Sequence, residues 1–162
     1  MAANVDAATM KVSDLMTRKP ITVSPDVTIR QVLALMQGAS IRHIPVVDEK
    51  EGLMGMVSDR DLKFLHQIPG VFDEFSEEKI IAALDAPIGV ALKSRFLVNK
   101  DVIVLRGEEK LGRAIDLFVG SGFGALPVLD ADQCVVGILS VIDVLRWVGD
   151  EVLKSDEEKR NQ

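Results

Sequence analysis

The chain contains two copies of one short motif, and this duplication limits the folds open to it more than any other feature. The stretch Gly55-Met56-Val57-Ser58-Asp59-Arg60-Asp61-Leu62 returns 82 positions later as Gly137-Ile138-Leu139-Ser140-Val141-Ile142-Asp143-Val144. A repeat of this length indicates a duplicated structural unit. At the same spacing, further matched pairs are Ile21 and Ile103, Leu35 and Leu117, Gly38 and Gly120, Pro45 and Pro127, and Asp48 and Asp130.

Each copy of the motif has the pattern of a strand that turns into a helix. A glycine followed by two apolar residues is typical of the end of a buried strand, and Ser58 and Ser140 are preferred N-cap residues. At such a corner, backbone N–H groups and a partial positive charge face outward, beside a hydroxyl and the carboxylate of Asp61 or Asp143. The pattern suits a phosphorylated ribose. The alternative is structural: Ser58 and Ser140 would only cap helices, at about 1 kcal/mol each, and Asp61 and Asp143 would only complement the helix dipole by a few tenths of a kcal/mol.

The composition excludes several classes of protein. The 162 residues suffice for one compact domain or two small halves, and no apolar run approaches the roughly 20 residues that span a bilayer. The first residues lack the basic and apolar regions of a secretory signal, so we expect a cytoplasmic protein. The net charge of −6 argues against nucleic acid as the main partner. Cys134 is the only cysteine, which excludes an internal disulfide and a cysteine-cluster metal site.

The first half is predicted to run strand, helix, strand, strand, helix. Residues 1–10 are expected to be a mobile leader, and Ser13 is the predicted N-cap of a short helical turn. Apolar residues at helical spacing predict a helix from about Thr28 to Gln37 that stops at Gly38. The other predicted elements are strands at 21–23, 44–47 and 53–57, and a helix that Ser58 opens.

The second half is predicted to repeat this order after a linker at 67–86, which contains a short helix from Lys79 to Leu84. Residues 87–92 resemble the opening turn of the first half, with Pro87 near its start. The two halves are expected to pack about a pseudo-twofold axis. The predicted elements are strands at 103–105, 126–129 and 135–139, helices at 110–119 and 142–148, and a charged tail at 150–162 expected to fray from Lys154.

Several stretches together resemble the CBS domain. In the first half they are Val12-Ser-Asp-Leu-Met-Thr17 with Pro20-Ile-Thr-Val23, Arg42-His-Ile-Pro-Val-Val-Asp48 and the motif at 55–62; in the second they are Gly124-Ala-Leu-Pro-Val-Leu-Asp130 and the motif at 137–143. The chain is therefore similar to a tandem CBS pair, or Bateman module, with repeats at 11–66 and 87–149, and to the small stand-alone members of that family. The resemblance implies an α+β fold of two β-α-β-β-α repeats related by a pseudo-twofold axis.

The resemblance also implies a ligand. Family members commonly bind adenosine compounds in clefts between the repeats, so AMP, ADP or ATP is expected, with S-adenosylmethionine as a further candidate and no catalytic cofactor. In the family the aspartate of the corner takes the ribose hydroxyls, and the serine or threonine helps to hold phosphate. The implied contacts in the first cleft are Asp61, Ser58, Met56, Ile103 and Phe123, and those in the second cleft are Asp143, Ser140, Ile138, Ile21 and Ile41.

The two corners differ in charge. Arg42 and His43 of the first copy are matched by Gly124 and Ala125, and Arg60 is matched by Ile142. A phosphate needs donors, so it is expected near Arg42, with Arg60 and His43 as weaker candidates. The Asp61 cleft is expected to prefer phosphorylated ligands, and the second corner is expected to bring no cation of its own.

Three functional classes can be compared on the residues. Catalysis is the poorest, because no paired carboxylates, metal ligands or nucleophile motif occur in a recognisable context. A nucleotide-sensing regulatory module and a structural dimerisation module predict the same fold, and the retention of both Ser–Asp pairs favours sensing. The apolar stretches 33–36 and 115–119 predict a homodimer formed through helices. Any output is expected to pass to a separate, unidentified protein.

Overall fold

The computed structural model describes residues 9–64, 77–93 and 102–160. It has an α+β fold, as the sequence predicts. Its contacts divide the chain into two compact units. We call residues 1–19, 103–131 and 136–162 the terminal unit, and residues 20–102 and 132–135 the central unit. The units therefore interleave along the sequence instead of following the order of the two repeats.

The terminal unit is built on a mixed four-stranded sheet of order β1-β6-β5-β4. Strand β1 pairs antiparallel with β6, and β4 pairs parallel with β5. Its core is mostly aliphatic and includes Val12, Leu105, Leu111, Leu126 and Leu139, none of them more than 1% exposed. Its elements are α1 (Val12–Leu15), β1 (Thr17–Arg18), β4 (Leu105–Arg106), α6 (Leu111–Ser121), β5 (Ala125–Leu129), β6 (Val135–Ser140) and α7 (Val141–Arg160).

The central unit is built on the antiparallel hairpin of β2 and β3. Val23 adds one parallel bridge to Val46 at the edge of the hairpin. At the 82-residue spacing this bridge matches the pair Leu105 and Val128 in the terminal unit, so the two sheets share one pairing scheme. The elements of this unit are α2 (Ile29–Gly38), β2 (His43–Val47), β3 (Leu53–Ser58), α3 (Asp59–Phe64), α4 (Glu77–Leu84) and α5 (Ile88–Lys93).

Helix α1 belongs to the terminal unit although it lies in the first repeat. Met10 and Val12 are buried in the core of that unit, so packing begins at Met10 at the latest. Three backbone hydrogen bonds fix the segment: the N–H of Val12 donates to the carbonyl of Glu109 (2.9 Å), the N–H of Ser13 to that of Gly107 (2.9 Å), and the N–H of Leu111 to that of Met10 (2.8 Å).

Helix α5 belongs in the same way to the central unit although it opens the second repeat. Ile88, Ala91 and Leu92 are buried in the core of that unit. The bonds that fix α5 fall on matched positions: Ile88 N–H donates to Val27 O (2.8 Å), Gly89 N–H to Pro25 O (2.8 Å), and Ile29 N–H to Ala86 O (3.0 Å). Each repeat thus places its opening helix in the unit that holds the rest of the other repeat.

Two predictions about short elements are wrong. Ser13 is not an N-cap, because α1 begins at Val12 after Lys11, whose N–H donates to the Asp14 carboxylate (2.9 Å). Residues 21–23 do not form a strand of three residues, since only Val23 bridges to the sheet. The matching prediction for 103–105 is shifted, because β4 begins only at Leu105. Short strands between turns have too few ladder bonds for the sequence to fix their limits.

The longer elements agree with the sequence to within one or two residues, with one exception. Helix α2 starts after Thr28, whose hydroxyl accepts from the Gln31 N–H, and its last residue is Gly38, one position after the predicted Gln37. Helix α7 is the exception, because it is predicted to end at Val148, with fraying from Lys154, but continues through Arg160. An ion pair between Lys154 and Glu151 (2.7 Å) supports the extension at helical spacing. Within the described residues, no helix is long and apolar enough to cross a membrane.

Candidate functional site

The first strand-to-helix corner is held by a reciprocal set of hydrogen bonds. Oδ2 of Asp61 accepts from the hydroxyl of Ser58 (2.7 Å) and from its backbone N–H (3.0 Å). The backbone N–H of Asp61 donates in turn to Oγ of Ser58 (3.1 Å). Both side chains are half-buried. This is a capping box in which aspartate takes the place of the usual glutamate.

The second corner has the same geometry. Oδ2 of Asp143 accepts from the hydroxyl (2.6 Å) and the N–H (2.9 Å) of Ser140, and the Asp143 N–H donates to Oγ of Ser140 (3.2 Å). The two corners also share a tie to the preceding strand. Asp59 N–H donates to Arg42 O (2.9 Å), as Val141 N–H donates to Gly124 O (3.0 Å). The structure therefore confirms, at both positions, the predicted strand that leads into a helix capped by serine.

One carboxylate oxygen at each corner takes no part in the cap. Oδ1 of Asp61 is engaged by no hydrogen bond or ion pair from residues 9–64, 77–93 and 102–160. Oδ1 of Asp143 lies 3.6 Å from Nη1 of Arg146, one helical turn further along α7. A carboxylate oxygen fixed in this way can accept hydrogen bonds from hydroxyl groups. Because the acceptor is ionised, each of these bonds is worth about 1.5–3 kcal/mol.

The first corner is surrounded by charge. His43 lies opposite Ser58 in the register of β2 and β3. Burial lowers the pKa of His43 below its usual range, Asp59 and Asp61 oppose this shift, and Arg42 and Arg60 add to it. The bond from Asp59 N–H to Arg42 O and the pairing of His43 with Ser58 bring Arg42, His43, Arg60 and Asp61 to the same end of the hairpin. Both arginines are exposed. They are therefore free to meet an anion in solution.

The second corner is more apolar, but it does have a cation. Gly124, Ala125 and Ile142 stand where the first corner has Arg42, His43 and Arg60, and Ile142 is exposed. The expectation that this corner brings no cation is wrong, because Arg146 approaches Asp143. A comparison of matched positions missed Arg146. The spacing of three residues along a predicted helix is the signal that identifies such a pair.

The remaining predicted contacts are distributed over both units. The central unit holds Ile21, which is exposed, together with the half-buried Ile41 and Met56. In the terminal unit, Ile103 and Phe123 pack against the core, and Ile138 lies opposite Thr17. Each unit thus contains one Ser–Asp corner and one pair of apolar side chains predicted to contact adenine. No cluster of three or more His, Cys, Asp or Glu side chains suited to a metal ion occurs in the described part of the chain.

Comparison with known proteins identifies the family. The profile of the CBS domain matches residues 12–65 and 92–150. These two ranges cover more than half of the chain, so the chain belongs to the CBS domain family and contains a tandem pair of repeats. The resemblance inferred from the motifs is confirmed.

Two solved structures and one curated relative illustrate the similarity. The chain is 29% identical to CBSX2 of Arabidopsis thaliana, solved in complex with AMP, with a TM-score of 0.68 and coverage of 86% of this chain and 96% of that one. The CBS domain pair of protein MJ0100, in complex with 5′-methylthioadenosine and S-adenosyl-L-methionine, has a TM-score of 0.68 at 22% identity, with coverage of 88% of this chain and 98% of that one, and shows the fold alone.

The curated relative is inosine-5′-monophosphate dehydrogenase of Methanocaldococcus jannaschii. It is 26% identical over 139 residues, which are 86% of this chain but 24% of the enzyme. An uncharacterised protein of the same organism is matched over 43% of its length. The chain therefore spans a quarter to less than half of these relatives, and their whole activities do not transfer to it.

Proposed function

We propose that this chain is a regulatory module that binds an adenosine-containing nucleotide, AMP, ADP or ATP, and signals to a separate protein by a change of conformation. The observation that carries the proposal is the fixed Ser–Asp pair at both corners, in which the cap leaves one carboxylate oxygen, Oδ1, unused. Membership of the CBS family and the AMP complex of a relative 29% identical support the choice of ligand class. S-adenosylmethionine stays a second candidate. We place the module in the cytoplasm.

Each residue at the first corner has a proposed role. Oδ1 of Asp61 accepts hydrogen bonds from the ribose hydroxyls. Arg42 and Arg60 donate hydrogen bonds to phosphate, and His43 lies beside them. Arginine suits phosphate because its planar guanidinium donates two parallel hydrogen bonds. The adenine contacts implied by the family, such as Ile103 and Ile21, stay predictions that substitution by alanine tests.

We also propose that the module forms a homodimer through its helices. Ile115 and Val119 lie on α6 one turn apart and are exposed, Val119 to 81%. Leu35 on α2 is exposed as well. Light scattering at micromolar concentration tests the dimer. A monomeric mass with and without nucleotide would exclude it.

Calorimetry with Asp61→Asn and Asp143→Asn tests the binding proposal. Asparagine keeps an oxygen that accepts from the capping serine but loses the charge, so folding is preserved while ribose binding weakens by about fivefold to 100-fold. AMP, ADP or ATP present at 100 times its dissociation constant should stabilise the parent chain by about 2.7 kcal/mol. The matched control is Asp26→Asn, which removes an exposed carboxylate charge from the turn before α2. Unchanged affinity in both corner variants would overturn the assignment.

The alternative is a structural dimerisation module without a nucleotide ligand. It predicts the same fold and the same dimer. It is favoured if AMP, ADP, ATP and S-adenosylmethionine all leave the melting temperature unchanged while the dimer persists.

A further inference from the structure

We propose that Arg146 is a ligand-contacting residue of the Ser140–Asp143 corner and sets the charge of the adenosine compound that this corner accepts. The inference rests on the proposed function and adds to it a selectivity determinant outside the motif. Arg146 lies three residues after Asp143 on α7, and its Nη1 is 3.6 Å from Oδ1 of Asp143. This is the oxygen that the Ser140 cap leaves unused.

The exposure of the two side chains shows which of them can turn to a ligand. The Asp143 side chain is 19% exposed and is held by Ser140, whereas the Arg146 side chain is 68% exposed. An ion pair at 3.6 Å with an exposed arginine contributes little to stability. Arg146 can therefore leave or share Asp143 at small cost. Its guanidinium then has several N–H donors for an anionic group attached to the ribose.

The cations of the two corners lie at different sequence positions relative to the aspartate: before it in the first corner and after it in the second. At the first corner Arg60 immediately precedes Asp61, and Arg42 comes from the start of the hairpin. At the second corner the matched positions are apolar, and the cation follows the carboxylate by one helical turn. The residue that matches Arg146 in the first repeat is Phe64. Each corner thus has positive charge of its own, and the second is expected to accept an anionic ligand too.

The charge of the ligand gives this role a signature that a merely structural role would lack. AMP is an anion, 5′-methylthioadenosine is neutral, and S-adenosylmethionine carries a positive sulfonium group. Replacing Arg146 by glutamine removes one positive charge beside the ribose site. We expect AMP to bind about threefold to tenfold more weakly, 5′-methylthioadenosine to change by less than about twofold, and S-adenosylmethionine to bind more tightly. Loss of packing or of the helix would weaken all three.

The experiment is calorimetry with these three compounds in an Asp61→Asn background, which weakens the first corner so that the second is measured. Arg146→Gln is compared with Arg146→Lys, which keeps the charge and should retain most of the preference for AMP. The control is Arg113→Gln, which removes an exposed charge from α6 in the same unit and should leave all three affinities unchanged. Added salt should reduce the effect of Arg146→Gln on AMP.

The outcomes separate this inference from the proposed function. A uniform change for all three compounds, or none, would overturn the role of Arg146 and leave the nucleotide-binding module standing. Binding to the unaltered chain that vanishes entirely with Asp61→Asn would also overturn it, because the second corner would then hold no ligand. If none of the three compounds binds the unaltered chain, the proposed function falls and the inference falls with it.

Discussion

Substitution of Val12 by alanine should weaken the terminal unit and spare the central unit, although Val12 lies in the first repeat. Its side chain is 0% exposed and packs with the core of the terminal unit. The change removes two methyl groups, which is about 1.6 kcal/mol of transfer free energy at 0.8 kcal/mol per carbon. The cavity adds to this because the surrounding core relaxes only in part. We expect a total loss of about 1.5–3 kcal/mol.

Native-state hydrogen exchange read by mass spectrometry checks where this loss falls. Val12→Ala should speed exchange in α6, β5 and β6 and leave α2 and β2 near the parent rate. Ile88→Val is the reciprocal control, because Ile88 is also 0% exposed but lies in the core of the central unit. It should cost about 0.5–1.5 kcal/mol and speed exchange in α2 and β2 instead. Faster exchange in β2 and β3 after Val12→Ala, with α6 unchanged, would refute the interleaved packing.

Three further predictions concern single positions. Gly122 ends α6 with φ of 71°, so Gly122→Ala should lower the free energy of unfolding by about 1 kcal/mol. By contrast, a Cβ atom added at Gly120 within α6 would have no atom within 4 Å, so Gly120→Ala should raise the free energy of unfolding by about 0.5–1 kcal/mol. Asp61→Ala should lower the free energy of unfolding in urea by about 0.5–1.5 kcal/mol, and Asp61→Asn by less, because only asparagine keeps an oxygen that accepts from Ser58. Burial lowers the pKa of His43 in the folded chain, so below about pH 6.5 the unfolded chain binds more protons at this residue. The free energy of unfolding should therefore fall as the pH drops below that value, and it should fall less in His43→Gln. Equal pH slopes in the two chains would contradict this.

The features that the sequence predicts well depend on neighbours along the chain. The start of α2 follows from Thr28 and Gln31, which cap each other within one turn. The two corners follow from Ser58 and Ser140, whose partners lie three residues away. Such contacts have the same geometry wherever the segment is placed, so a pattern of residue types is enough to predict them.

The features that the sequence does not predict depend on residues far apart in the chain. Nothing near Val12 indicates that its N–H bonds to Glu109, almost a hundred positions away. The limits of β4 and the single bridge of Val23 are likewise set by the neighbouring strand. Arg146 is not predicted for another reason. A comparison of matched positions looks for a cation only where the first repeat has one, and the position that matches Arg146 is Phe64.

The geometry of the corners also bears on whether the Ser–Asp pairs are kept for folding or for binding. A cap explains Oδ2 of each aspartate, which receives both donors of its serine. It does not require Oδ1 to be an ionised oxygen, because a neutral side-chain oxygen such as that of asparagine also accepts from the capping serine. The charge on Asp61 and Asp143 is therefore the part of the motif that a purely structural module needs least, since in the first turn of a helix it adds only about 0.3–1 kcal/mol. Replacing that charge while keeping the cap separates the two roles of the motif. Weaker nucleotide binding in Asp61→Asn or Asp143→Asn would show a role in binding, and unchanged affinity in both variants would show that the Ser–Asp pairs serve folding.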